Sequence, residues 1–128
     1  MMSKYFAVML GGAIGAVSRF AVGSLVSRFY SAAFPLPTFL INMSGSFLIG
    51  VLMTVFLNRP TISGNWRLFL VTGILGGYTT FSSFEWEALM TLRNGTENIA
   101  FLYLGLSVFL GLGGAWLGLL LANRLWPH

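Results

Sequence analysis

The chain has 128 residues, of which 56% are hydrophobic and only 8% charged, far from the roughly 25% charged content of a soluble domain; with a mean hydropathy of +0.82 it reads as a membrane protein. Seven Lys and Arg against three acids give a formal net charge of +4, with no cysteine and a single histidine, His128. Disulfide frameworks, thiolate catalysis, His/Cys metal centres and histidine-based triads are excluded, and the basic residues form no run or helix of the kind that grips nucleic acid.

A transmembrane helix needs about 20 predominantly apolar residues. Four windows meet this requirement and predict an all-α membrane protein, a single domain over 1–128 with helices at about 5–28, 37–57, 67–92 and 99–123. In the first window Gly11, Gly12 and Gly15 interrupt the apolar run, and no small-residue cleavage site precedes a soluble body, so a mature helix is expected rather than a signal peptide. Arg19, in "GAIGAVSRF", falls in the last third of this helix. It either snorkels toward the interface or caps a water-filled vestibule.

The connections "SRFYSAAFPLP", "NRPTISGNW" and "RNGTEN" are short, so neighbouring helices should run antiparallel and both termini should lie on one side. Lys4, Arg59, Arg67 and Arg124 then fall on the terminal side, and Arg28 and Arg93 on the other, joined by Arg19 if it reaches that end. Orientation follows the Lys/Arg excess of short loops, and so slight an excess predicts insertion in both orientations. Mixed orientation permits an antiparallel homodimer, an intermolecular form of the inverted repeat of many transporters.

In the second helix Thr38 and Asn42 are four apart and share a face. They either make interhelical hydrogen bonds or line a polar track. The third helix holds the densest polar stretch, "GGYTTFSSFEWE" at 76–87. Gly76 and Gly77 followed by Tyr78, Thr79 and Thr80 have poor helix propensity, and unwound backbone at membrane depth is tolerated only where protein buries it or a cavity meets it. A break near 76–80 is expected. It would expose carbonyls on one side and amide N–H groups on the other, unless it is only a kink that aids packing. Phe81 and Phe84 are three apart with Ser82 and Ser83 alongside; such rings either pack or offer their positive edges to an anion. Glu85 and Glu87 follow. On the fourth helix Tyr103 and Ser107 repeat the spacing of Thr38 and Asn42, and the glycines of helices 1 and 4 suit close helix packing.

Three motifs, "GxxGAxxRF" at Gly12 to Phe20, "NMSGSFLIG" at Asn42 to Gly50 and above all "TGILGGYTTFSSFEWE" at Thr72 to Glu87, resemble those of the bacterial Fluc (CrcB) fluoride channels. Chain length and four-span layout agree. The resemblance implies a dual-topology antiparallel homodimer in the bacterial inner membrane. It also implies passive export of fluoride from the cytoplasm through two pores, and a structural Na⁺ at the dimer centre. Residue by residue it implies Na⁺ held by the carbonyls of Gly76 and Thr79, a pore lined by Phe81, Phe84, Asn42, Ser82, Ser83 and Thr38, and Arg19 in the vestibule. Glu87 stands at the acidic position of helix 3, and Tyr103 and Ser107 continue the track. Tyr78, Glu85 and Gly111 depart from the family pattern. Two other classes compete. A proton-coupled multidrug transporter needs a carboxylate in helix 1, where there is none, and a membrane subunit serving only assembly leaves the Phe and hydroxyl cluster without a role.

Overall fold

Residues 2–127 are described by the computed structural model; Met1 and His128 lie outside them. Every regular element among the described residues is helical. In chain order these are α1 (Met2–Phe29), α2 (Leu36–Asn58), α3 (Gly64–Arg67), a π-helical stretch π1 (Leu68–Leu75), α4 (Gly76–Tyr78), α5 (Phe81–Arg93) and α6 (Glu97–Leu125). Three of them, α1, α2 and α6, are long and apolar enough to cross a membrane, and the chain is a helical membrane protein. The span 64–93 is assembled from the shorter pieces.

Helix boundaries follow local chemistry. Pro35 and Pro37 sit at the cap and in the first turn of α2, where a missing N–H is harmless and a fixed φ is already helical. Ser63 accepts from Asn65 N–H and starts α3 at Gly64, ahead of the start near 67 expected from hydropathy, because the cap is polar and lies outside the apolar window. The connection from α5 to α6 turns at Gly95, whose φ of +76° lies in the region that glycine reaches without Cβ strain.

Two seams hold the bundle. Along one, α2 lies against α6. A Cβ on Gly50 would strike the carbonyl of Ala115, and one on Gly118 would strike that of Phe47. Along the other, α1 lies against π1 and α4, with Gly11 and Gly15 facing the carbonyls of Phe69 and Ile74. Lipid tails are as apolar as leucine, so helices in a bilayer gain little by hiding leucines from them; small residues that let backbones approach supply the attraction instead. The buried set is correspondingly small, and centres on Phe84, Ala88 and Tyr103 with Phe34, Phe39 and Leu104 packed against them. Large side chains such as Phe109, Leu112 and Trp116 face outward, as suits a hydrocarbon surrounding.

Substituting Gly118 by alanine should therefore lower the detergent melting temperature, by the equivalent of about 1–3 kcal/mol of overpacking. Gly64→Ala, where an added Cβ meets nothing within 4 Å, should leave the melting temperature unchanged or raised.

Candidate functional site

Between α4 and α5 two residues leave the helix. Thr79 has φ −78° and ψ 159°, and Thr80 has φ −150° and ψ 122°. In an unbroken helix the N–H of Thr80 would donate to Gly76 O and that of Ser83 to Thr79 O. Both are diverted. Thr80 N–H donates to Asn42 Oδ1 at 2.9 Å, while Asn42 Nδ2 donates back to Thr80 O at 2.9 Å. Ser83 N–H donates to Thr80 Oγ1 at 3.3 Å, so Thr80 is the N-cap of α5. The extended backbone is thus satisfied by one amide on a neighbouring helix and one hydroxyl of its own.

The diversion releases the carbonyls of Gly76 and Thr79 from the donors that a continuous helix would supply. Arg19 reaches one of them from α1: its Nη1 donates to Thr79 O at 3.3 Å, which places its guanidinium at the break. Among the described residues no group of three or more His, Cys, Asp or Glu could hold a metal ion, so a cation here would rest on backbone oxygens. The carbonyls of Gly76 and Thr79, three residues apart and both freed at the break, are the oxygens that would serve it.

A second polar cluster lies further along α5. Glu87 Oε1 accepts from Thr38 Oγ1 at 2.7 Å and its Oε2 accepts from Tyr103 OH at 2.9 Å. Thr38 on α2 thus meets a later residue of α5 than Asn42 does, as antiparallel helices require. A carboxylate in an apolar bundle needs such charge-assisted bonds. The Tyr103 ring, fully buried, also packs edge-on against Phe84 with centroids 5.1 Å apart.

Beside the break opens a cleft of about 370 Å³, whose walls include Asn42, Gly76, Thr79, Phe81, Phe84 and Ser107. Phe84 is 7% exposed and Phe81 69%, and their centroids stand 5.8 Å apart at 42°. The structure therefore gathers Asn42, Phe81, Phe84, Ser107 and the Gly76 and Thr79 backbone at one place, and Thr38, Glu87 and Tyr103 at an adjoining one. Ser82 is exposed on α5. Ser83 turns toward the break, its Oγ accepting from Thr80 Oγ1 at 3.0 Å.

Three further residues take part in ways that their sequence positions do not assign. Thr80 shapes the break through three separate groups, its N–H, its C=O and its hydroxyl; the available signal was a threonine directly before a helical run, a preferred N-cap. Ser46 joins the cleft wall. Tyr78, one of the weak helix formers at the break and a departure from the family pattern, pairs with Ser44 at 2.9 Å. Ser44 spends its hydroxyl hydrogen on the carbonyls of Leu40 and Ile41, so the tyrosine hydroxyl is the donor to it.

These features define a polytopic helical membrane protein with a polar break and an adjoining cleft. The pattern of the family described as CrcB-like protein, Camphor Resistance (CrcB), matches residues 6–119, and the chain belongs to that family. It is 44% identical over 122 residues to the fluoride-specific ion channel FluC of Acidobacterium capsulatum, covering 95% of this chain and 98% of the relative. With a protein of the same name from Thermus thermophilus it shares 45% over 124 residues, 97% of this chain and 98% of the other. With that of Stutzerimonas stutzeri it shares 47% over 123 residues, 96% and 99%.

Replacing Asn42 by leucine leaves the N–H and C=O of Thr80 without partners, at about 1–3 kcal/mol for each buried group left unpaired. The expected result is a lower melting temperature together with faster hydrogen exchange at the Thr80 amide. Unchanged exchange at Thr80 would show that the pair does not hold the break.

Proposed function

We propose that the chain is a fluoride channel that lets fluoride leave the bacterial cytoplasm passively. It works as an antiparallel homodimer of chains inserted in both orientations in the inner membrane, with 64–93 as a third, broken membrane crossing and a structural Na⁺ on the two-fold axis. The observation that carries the reading is the cleft at the break, bounded by Phe81, Phe84 and Asn42, in a chain whose relatives over nearly its whole length are named fluoride-specific ion channels.

Fluoride is small and strongly hydrated, so a path must replace its water with hydrogen-bond donors while leaving binding weak enough for exit. Asn42 has a second amide N–H beyond the one given to Thr80 O. Ser83 accepts from Thr80, which leaves its own hydroxyl hydrogen to donate. Ser107 adds a hydroxyl to the cleft wall. The rings of Phe81 and Phe84 present positive edges that attract an anion without holding it tightly. The charge of Glu87 is turned toward Thr38 and Tyr103, which moderates its repulsion of an anion passing Phe84. A central cation held by Gly76 and Thr79 carbonyls would make the region more favourable to anions and bind the two chains together.

Purified protein in liposomes should release fluoride passively and rapidly, without a proton gradient and in preference to chloride, when followed with a fluoride electrode. No flux, or flux strictly tied to protons, would remove the channel reading. Phe81→Ile and Phe84→Ile should each cut the rate about tenfold or more, the equivalent of about 1.4 kcal/mol, while the dimer persists on size exclusion. Wild-type rates in both would place the path elsewhere.

Replacing Na⁺ throughout by N-methylglucamine should weaken the dimer and lower its melting temperature, as loss of a ligand bound only by the folded assembly does. A dimer indifferent to exhaustive Na⁺ removal would count against the cation site.

A further inference from the structure

Arg19 and the cation assigned to the break share an oxygen. The guanidinium of Arg19 donates to Thr79 O at 3.3 Å, and this carbonyl is free for it because Ser83 N–H is engaged by Thr80 Oγ1. Among the described residues the one side-chain hydrogen bond of Arg19 goes to a neutral acceptor, Thr79 O, and Glu87 has its oxygens engaged by Thr38 and Tyr103. Among the described residues its positive charge thus stands at the break with no carboxylate hydrogen-bonded to it.

A carbonyl oxygen has two lone pairs and can serve a guanidinium and a cation together. Two positive charges meeting on one oxygen repel, and more strongly in the poorly polarisable interior of a membrane protein than in water. An anion that settles on the guanidinium cancels that repulsion.

We infer that Arg19 couples the two ions: it holds the affinity of the break for Na⁺ down, and fluoride arriving at Arg19 raises it. The inference rests on the reading of Gly76 and Thr79 as a cation site. Linkage requires the converse, so that Na⁺ at the break strengthens anion binding at Arg19 by the same factor. Arg19 thereby acts as a positioning residue that reports the occupancy of the anion path to the centre of the assembly, and an assembly exposed to fluoride is the one most firmly held together.

The test measures the apparent Na⁺ affinity of the whole purified protein from its melting temperature as Na⁺ replaces N-methylglucamine at constant ionic strength, with either fluoride or gluconate as the anion. In the wild type, fluoride should tighten Na⁺ binding about fivefold or more, within the usual range of coupling. Arg19→Gln keeps a donor for Thr79 O but carries no charge; it should bind Na⁺ about as tightly in gluconate as the wild type does in fluoride, and should lose the difference between the anions. Arg19→Lys keeps the charge and should keep the difference. Wild-type Na⁺ binding that ignores fluoride, or coupling that survives in Arg19→Gln, would overturn the inference while leaving the cation site standing. A wild-type melting temperature indifferent to Na⁺ would remove the cation site and the inference with it.

Discussion

A peptide group inside hydrocarbon has no water to fall back on, and each unpaired N–H or C=O there is strongly unfavourable. The exchange of two hydrogen bonds between the Asn42 side chain and the backbone of Thr80 answers that constraint, and much else depends on it. It lets the chain leave the helix at Thr79 and Thr80, which in turn frees the carbonyls of Gly76 and Thr79 and opens room for the Arg19 guanidinium. A side-chain amide suits the task because it carries a donor and an acceptor in one plane, matching the two polar groups of a single residue. Aspartate would meet the N–H and repel the C=O.

The glycine seams serve the same arrangement. On α1, Gly11 and Gly15 let π1 come close enough for Arg19, one turn beyond Gly15, to reach Thr79 O. Gly45 on α2 lies against the Thr79 side chain, where any Cβ would push the break away from Asn42. The widened π turn over Leu68–Leu75 lies just ahead of the break; π segments often accompany functional sites because the extra residue per turn shifts the register of the residues beyond it. Packing in this protein thus does little to hide apolar surface and much to fix where a few polar groups stand.

Much of this was legible in the chain. The membrane class, the long apolar helices and their approximate limits follow from hydropathy, because about 20 apolar residues in a row have few other uses. Gly76 to Thr80 are weak helix formers in an otherwise apolar run, and the four-residue spacing of Thr38 and Asn42 puts them on one face of a helix. The partners were not legible. Nothing in the local sequence says that Thr38 meets Glu87, that Asn42 meets Thr80, or that Arg19 points to Thr79 O instead of the interface, since each bond joins segments at least 38 positions apart. Ser82 and Ser83 look equivalent in sequence. Only the cap at Thr80 distinguishes them, turning Ser83 to the break and leaving Ser82 exposed.

The sequence by itself determined what kinds of groups the helices bring together: long apolar runs, small residues for close contact, hydroxyls, an amide in Asn42, an arginine in Arg19 and two acids just after a stretch that resists helix formation. These are local properties, set by propensity, hydropathy and spacing. Tertiary structure decided which polar group satisfies which, because a hydrogen bond between helices depends on their relative depth and rotation, and these arise from the glycine contacts along the whole length of each pair. The same packing decided that Phe84 is buried against Tyr103 while Phe81 stands open to the cleft, although both lie on one turn of one helix.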